Sequence, residues 1–197
     1  MSTIKLYGYR GSGSAAVEAA LCLLGLPFEH AAISVFRGFD AFQQINPVVK
    51  APTLICDDGT VLMDSTLILE YVETLVPAER RLLPAAGKAR LDALRLIGLA
   101  LAAADKCVTM VYEKERRAVV DAPWMERITG QANTAFELLE RELPAWRFDA
   151  AGIAIAVSWR FSQYYNAAEI PAARYPKLVA YSAAAEQLPE FASTPLD

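Results

Sequence analysis

Residues 46–71, NPVVKAPTLICDDGTVLMDSTLILEY, are the segment that most constrains the fold of this chain. Two short apolar runs, at 53–56 and 61–63, flank Asp-Asp-Gly-Thr, a sequence typical of a β-hairpin turn. From Leu67 to Leu75 the apolar residues recur with the spacing of an amphipathic helix. The segment therefore predicts two antiparallel strands followed at once by a helix, with Asp64-Ser65 where strand gives way to helix.

The residues before this segment predict an alternation of strands and helices. Strands are predicted at 4–7 and 28–35. A helix is predicted at 15–24, because Gly25 with Pro27 beyond it is a typical helix end. A short helix or turn is predicted at 40–45. The order of elements through residue 76 is therefore β-α-β-α-β-β-α.

The second half of the chain has a different sequence pattern, in which only helices are predicted. Residues 77–87 contain two prolines and a glycine and predict a linker. Helical patterns follow at 88–117, 123–143, 149–165 and 175–188, and Asp149 is placed to cap the third of them. We therefore predict an α/β domain over residues 1–76 and an all-α helical bundle over residues 88–197, joined by a linker over 77–87.

The composition argues against several classes of protein. There are 19 Lys and Arg against 23 Asp and Glu, a net charge of −4, whereas nucleic-acid-binding surfaces are usually basic. The apolar runs are far shorter than the roughly 20 residues that span a bilayer, and no secretory signal pattern is present. Three cysteines without a C-x-x-C pair are typical of a reduced compartment. We expect a cytoplasmic protein that binds neither nucleic acid nor membrane.

His30 is the single histidine of the chain, and this limits the chemistry available. A multi-histidine metal site is excluded, and a Ser-His-Asp triad would have to be built on this residue. Because His30 lies in a predicted strand, we interpret it as structural, and we expect no metal. The glycines at Gly8, Gly11 and Gly13 form G-x-x-G-x-G, which differs from the dinucleotide fingerprint G-x-G-x-x-G.

Taken together, these features resemble the cytosolic glutathione transferases. The resemblance spans nearly the whole chain: an N-terminal strand with a glycine-rich loop, N-P-x-x-K-A-P at 46–52, the Asp64-Ser65 helix start, a proline-containing linker and an all-α second domain. The proline and Asp-Ser elements at this spacing are the specific part. The resemblance implies a thioredoxin-like first domain, glutathione as co-substrate and a homodimer.

The resemblance also implies roles in glutathione binding for five residues. A cis peptide before Pro52 would leave the N–H and C=O of Ala51 to pair with the cysteinyl backbone of glutathione. Ser65 would present a helix N-terminus to the γ-glutamyl carboxylate, and Asp64 would take the ammonium group. Lys50 would approach the glycyl carboxylate. The alternatives are an ordinary edge-strand proline, a plain N-cap and a solvated lysine.

Several hydroxyl groups could activate the thiol of glutathione. The pKa of a free thiol is about 8.5, and it must fall by about two units, roughly 2.7 kcal/mol, for the thiol to be mostly ionised at neutral pH. One hydroxyl donating to the thiolate supplies about 1.5–3 kcal/mol, and a helix N-terminus adds roughly 0.3–1 kcal/mol. We rank Ser12 first and Tyr7 second. Tyr9 is a lesser candidate, and Ser14 is interpreted as the N-cap of the first helix.

The function implied is a detoxifying transferase, in which the thiol of bound glutathione attacks a small, hydrophobic electrophile. Two alternatives stay open: a weakly catalytic or non-catalytic binding or regulatory protein of the same fold, and a glutathione-dependent disulfide reductase or peroxidase. The second domain would line the electrophile pocket. Met110 and Tyr112 are candidates for its apolar wall, with ordinary helix packing as the competing interpretation.

Overall fold

A computed structural model describes residues 4–9, 13–146, 148–192 and 194. The chain divides into two compact units. The first contains the described residues up to Leu82 together with those from Pro189 onward, and the second runs from Leu83 to Leu188. Within the described ranges, no helix has the length and apolar character needed to cross a membrane.

The first unit is built on a mixed sheet whose described strands have the order β2-β1-β3-β4. Its elements in chain order are β1 (Ile4–Tyr7), α1 (Gly13–Leu24), β2 (Phe28–Ala31), α2 (Phe39–Ile45), β3 (Thr53–Ile55), β4 (Val61–Met63) and α3 (Ser65–Thr74). β1 runs parallel to β2 and antiparallel to β3, and β3 pairs antiparallel with β4. This confirms the predicted β-α-β-α-β-β-α order and the thioredoxin-like class.

Alternation along β1 explains which face of the sheet is covered. Ile4 and Leu6 are buried, whereas Lys5 is exposed and Tyr7 is half-buried. The buried face belongs to the same apolar cluster as Val17 and Leu21 of α1 and Ile68 and Val72 of α3. Each fully buried aliphatic side chain of this kind contributes about 1.5–3 kcal/mol. Tyr7 therefore lies on the face of the sheet opposite this core.

The second unit is all helical among its described residues, as predicted. Its helices are α4 (Gly87–Arg116), α5 (Ala122–Glu142), α6 (Ala150–Tyr165) and α7 (Pro176–Ala185). α4 packs against both α5 and α6, and α6 packs against α7. Asp149 caps α6 as predicted, since its Oδ1 accepts from the Gly152 backbone N–H at 3.0 Å.

The core of the second unit includes a cluster of three aromatic rings. Phe136 meets Trp159 edge-on at 5.4 Å between ring centroids, and Trp159 meets Tyr175 at 5.5 Å. The buried Tyr175 hydroxyl donates to Asn133 Oδ1 at 2.6 Å, so its one polar group is satisfied inside the core. Residues from α5, α6 and the start of α7 are thereby held together.

Two predicted elements differ from the structure. The strand predicted at 28–35 ends at Ala31, because Ser34 begins a turn in which its Oγ accepts from the backbone N–H groups of Phe36 and Arg37. The helix predicted at 175–188 ends at Ala185. A separate short helix, α8 (Pro189–Ala192), contacts α1 in the first unit, and Pro189 at its first position suits a new helix start.

Candidate functional site

The end of β1 and the start of α1 lie against the Ala51–Pro52 peptide. A Cβ added to Gly8 would lie 2.9 Å from Ser14 Cβ and 3.5 Å from Ala51 Cβ, and one added to Gly13 would lie 3.3 Å from Pro52 Cδ. Position 8 therefore has no room for a side chain without displacement of Ser14. The glycines allow the start of α1 to come close to the residues that precede β3.

The peptide bond between Ala51 and Pro52 is cis, as the resemblance implies. Pro52 is buried and Ala51 is half-buried. Within the described part of the chain, neither the N–H nor the C=O of Ala51 has a hydrogen-bond partner. This is the backbone edge that an extended peptide needs in order to pair strand-fashion with the protein.

Asn46 holds the loop that leads to this edge, a role that the sequence analysis did not assign. Its buried side chain donates to Thr53 Oγ1 at 2.9 Å and accepts from the Val48 N–H at 3.0 Å. The Thr53 hydroxyl in turn donates to the Lys50 carbonyl at 2.7 Å. Asparagine followed by proline at the start of the segment was the only signal available, because the Thr53 contact forms only after the chain folds back.

We expect Asn46→Ala to weaken glutathione binding. The substitution leaves the Thr53 hydroxyl and the loop backbone without their buried partner, a loss of about 1–3 kcal/mol. Because these hydrogen bonds also hold the loop that positions Ala51, the backbone edge at Ala51 would be less well ordered. The dissociation constant for glutathione should therefore rise roughly tenfold. Calorimetric titration measures the affinity, and denaturant unfolding measures the stability.

Asn166→Ala is the matched control for this substitution. Asn166 is likewise buried, and its Nδ2 donates to the Cys107 carbonyl at 3.1 Å, in the second unit. The Asn166→Ala substitution should lower the stability by a comparable amount and leave the affinity for glutathione unchanged. Equal loss of affinity in both variants would contradict a specific role for Asn46.

The start of α3 places the Asp64 carboxylate beside the backbone N–H of Ser65. Asp64 has a φ of 74° and is the N-cap residue, since its Oδ1 accepts from the Thr66 N–H at 3.0 Å. Ser65 is the first helical residue, so the capping side chain is that of Asp64 and not that of Ser65. No described residue accepts from the Ser65 backbone N–H or bonds its hydroxyl. The helix N-terminus is therefore open to an anion.

Lys50 and Asp64 form an ion pair beside this helix start. Lys50 Nζ lies 3.2 Å from Asp64 Oδ2, and both side chains are about half exposed. Partial burial opposes ionisation of Asp64, but the Thr66 N–H and Lys50 outweigh it and hold the pKa of this carboxyl below its ordinary value. Asp64 is therefore a carboxylate throughout the neutral range, as binding of an ammonium group requires.

The hydroxyl candidates have different surroundings. Ser12, ranked first, lies outside the described residues. Tyr7 ends β1, and no described residue hydrogen-bonds its hydroxyl. Tyr9 is about half exposed. Ser14 is fully buried inside α1, and its hydroxyl donates to the Tyr9 carbonyl at 2.7 Å, so it secures the loop and is not the N-cap that the sequence suggested.

The two apolar candidates of the second unit also differ. Met110 is fully buried, and its sulfur accepts from the Thr129 hydroxyl at 3.2 Å. Helix packing therefore explains Met110. Tyr112 is 42% exposed on α4, and burial of part of its ring raises the pKa of its phenol. It stays a candidate for contact with an electrophile.

Comparison with known proteins supports the same class. The family model described as glutathione S-transferase, N-terminal domain, matches residues 6–80. A zeta-class glutathione S-transferase of Euphorbia esula is 28% identical over 202 residues, which cover 95% of this chain and 88% of that protein. A maleylacetoacetate isomerase of Pseudomonas aeruginosa is 34% identical over 80 residues, 38% of each chain.

Solved structures extend the likeness to the full length. A glutathione S-transferase of Methylobacterium radiotolerans in complex with glutathione sulfonate has a TM-score of 0.89 at 26% identity, covering 98% of this chain and 94% of that one. A glutathione transferase family member of Pseudomonas fluorescens Pf-5 with bound glutathione has a TM-score of 0.89 at 27% identity, covering 99% and 100%. The first domain thus matches the glutathione S-transferase family, and over its full length the chain is similar in sequence and fold to solved glutathione transferases.

Proposed function

We propose that this protein is a glutathione-dependent enzyme that activates the thiol of bound glutathione for attack on a small, hydrophobic electrophile. The observation that carries the proposal is the arrangement around β3 and α3. An unpaired backbone edge at Ala51 precedes β3, and an ionised Asp64 beside the open N–H of Ser65 follows β4. The two are joined by the Lys50–Asp64 contact of 3.2 Å.

Each part of glutathione has a chemically matched partner in this arrangement. The cysteinyl N–H and C=O pair with Ala51, the γ-glutamyl carboxylate meets the N-terminus of α3, and the ammonium group meets Asp64. The Lys50–Asp64 pair is half exposed and worth at most about 1 kcal/mol. Glutathione could therefore displace Lys50 from Asp64 at little cost and leave the lysine to face the glycyl carboxylate.

The chemistry follows from where this arrangement leaves the sulfur. With the cysteinyl backbone on Ala51, the thiol lies on the side of the β1–α1 connection, where α1 presents its N-terminus and the candidate hydroxyls occur. A hydroxyl that donates to the sulfur lowers the pKa of the thiol and raises the fraction of thiolate. Holding the thiolate beside the electrophile then supplies the remaining acceleration through proximity.

Glutathione-dependent isomerisation is a second candidate for the reaction. It is favoured by the zeta-class and maleylacetoacetate isomerase relatives. In such a reaction the thiolate would add to a conjugated double bond, allow rotation about the resulting single bond, and leave again, so that glutathione is not consumed. The binding groups and the hydroxyl serve both reactions equally.

A binding titration and three activity assays on the purified protein test the proposal. Calorimetric titration with glutathione should give a micromolar to millimolar dissociation constant. Conjugation of an aryl halide, isomerisation of a maleyl substrate and reduction of a glutathione-reactive disulfide should then be assayed in parallel. Turnover in the first assay supports the transferase, and turnover in the second alone supports the isomerase. Binding without any turnover would favour a regulatory protein, and absence of binding would refute the proposal.

We further propose that the protein is a homodimer. Leu67 on α3 and Leu91 on α4 are 62% and 63% exposed, and each is a candidate for contact with a second chain because large exposed apolar side chains can mark such surfaces. Leu67→Glu and Leu91→Glu should each shift the mass measured by light scattering from dimer toward monomer.

Val119→Glu is the control for these two substitutions. Val119 lies in the connection between α4 and α5, so its replacement introduces the same charge outside α3 and α4, the helices to which the interface is assigned. This variant should keep the mass of the unmodified protein. A monomeric unmodified protein would refute the dimer.

A further inference from the structure

His30 is a buried imidazole with a specific place in the first unit. It lies in β2 directly beside Leu6 of β1, on the face of the sheet that α1 covers. Its side chain is 7% exposed, and that of Glu18 on α1 is 10% exposed. The ring therefore lies between the sheet and the helix.

Both ring nitrogens of His30 face oxygen atoms. Nε2 lies 3.1 Å from the Gly8 carbonyl oxygen. A carbonyl can only accept, so Nε2 carries a hydrogen and donates it. Nδ1 lies 3.2 Å from Glu18 Oε2. The ring therefore contacts the end of β1 through one nitrogen and the body of α1 through the other.

The two contacts of the ring fall on opposite sides of the β1–α1 connection. Gly8 is the first residue after β1, and Glu18 lies in the second turn of α1. Gly8 is also the residue at which a Cβ would come within 2.9 Å of Ser14 Cβ and 3.5 Å of Ala51 Cβ. The His30 ring thus fixes the distance between the end of the strand and the body of the helix.

We propose that His30, paired with Glu18, is a positioning residue for activation of the glutathione thiol. By fixing Gly8 relative to α1, it sets where the candidate hydroxyls and the N-terminus of α1 lie with respect to Ala51. This inference rests on the proposed function. His30 itself does not touch the reacting atoms, since it is buried on the core side of the sheet.

Burial of two ionisable groups beside each other is a costly way to gain stability alone. Desolvation of the two groups commonly offsets their attraction, and well-packed apolar residues of similar volume are often as good. Removal of one partner, by contrast, leaves an uncompensated buried group. The pair is therefore better explained by the geometry that it imposes on the Gly8 carbonyl than by its contribution to stability.

Three variants distinguish an effect of His30 on the position of Gly8 relative to α1 from an effect on the stability of the protein. His30→Ala removes both contacts. Glu18→Gln keeps them without the charge, because the amide can donate to Nδ1 while Nε2 still donates to Gly8. Glu73→Gln is the control, since Glu73 is buried like Glu18 but accepts from the Leu82 N–H at 2.7 Å, at the far end of α3. His30→Gln replaces His30→Ala if the alanine variant does not fold.

The first experiment needs no glutathione. Hydrogen exchange followed by mass spectrometry should show exchange of a peptide spanning Gly8 to Val17 accelerated at least about tenfold in His30→Ala, the change for about 1.4 kcal/mol of lost local protection. Glu18→Gln should lie near the unmodified protein, and Glu73→Gln should not change this peptide. Unchanged exchange in His30→Ala would overturn the positioning role, whether or not the protein binds glutathione.

The second experiment connects this geometry to the thiol. The ultraviolet absorbance of the thiolate, followed against pH with glutathione bound, gives the pH midpoint of thiol ionisation. We expect the midpoint to rise by about one unit in His30→Ala, which is a tenfold smaller thiolate-to-thiol ratio, and to stay near that of the unmodified protein in Glu18→Gln. A midpoint that stays unchanged while the melting temperature falls would make His30 purely structural. Absence of glutathione binding by the unmodified protein would instead refute the proposed function.

Discussion

Ser12→Ala is expected to raise the pH midpoint of kcat/KM by about one to two units. A hydroxyl that donates to a thiolate contributes about 1.5–3 kcal/mol, and one pKa unit corresponds to about 1.4 kcal/mol. At neutral pH the rate should therefore fall about ten- to hundredfold. Because the donor stabilises the ionised thiol, activity should recover as the pH rises above the new midpoint.

The pH midpoint of the Ser12→Ala variant also decides whether the hydroxyl of Ser12 or that of Tyr7 activates the thiol. If Ser12→Ala leaves the midpoint in place and Tyr7→Phe raises it, the role belongs to Tyr7, whose hydroxyl has no partner among the described residues. Ser14→Ala is an informative third variant. Its hydroxyl already donates to the Tyr9 carbonyl at 2.7 Å, so its loss should lower the free energy of unfolding. A midpoint unchanged in all of these variants would exclude activation by a hydroxyl of this loop.

Asp64→Asn is expected to lower the affinity for glutathione about ten- to hundredfold with little loss of stability. Asparagine can still accept from the Thr66 N–H and tolerates the positive φ of 74°. It lacks the charge that meets the ammonium group, and a hydrogen bond to a charged group is worth about 1.5–3 kcal/mol. Calorimetric titration and thermal unfolding measure the two quantities separately.

Asp64→Ala is the companion to this variant. It loses the charge together with the cap and places a non-glycine residue without a polar side chain at positive φ, so it should lose about 1 kcal/mol or more of stability in addition. Unchanged affinity in Asp64→Asn would remove Asp64 from the binding site.

The low pKa of Asp64 predicts how binding depends on pH. Its folded-state pKa lies below the ordinary value of 3.8, so its contribution is fully present above that value and is lost only as the pH falls through the lower folded value. S-methylglutathione has no ionisable thiol. Its affinity should therefore be constant between about pH 5 and 8, whereas catalysis rises with thiol ionisation. A loss of its affinity within this range would contradict the assignment.

Local features of the sequence predicted the order of the elements in the first domain and the cis peptide bond well. The Asp-Asp-Gly-Thr turn, the Asp64-Ser65 helix start and the Asp149 cap each depend on residues within a few positions of one another. The same holds for the cis bond at Ala51–Pro52, where the surrounding motif identified the site.

Contacts between residues that are far apart in the chain could not be predicted from the sequence. Asn46 acts through Thr53, which is adjacent to it only because the loop folds back. The position of His30 in a predicted strand indicates a structural role, but nothing in the spacing shows that its two nitrogens reach Gly8 and Glu18. Met110 has a side chain suited to a pocket wall, but the packing of α4 against α5 buries it.

A crystal structure of the protein with glutathione bound tests the central claim most directly. We predict that the cysteinyl N–H and C=O lie within about 3.2 Å of the Ala51 C=O and N–H, a normal hydrogen-bond distance. The γ-glutamyl carboxylate should lie at the Ser65 N–H, and the ammonium group at Asp64. Glutathione bound elsewhere, or with its γ-glutamyl end away from the start of α3, would contradict the account.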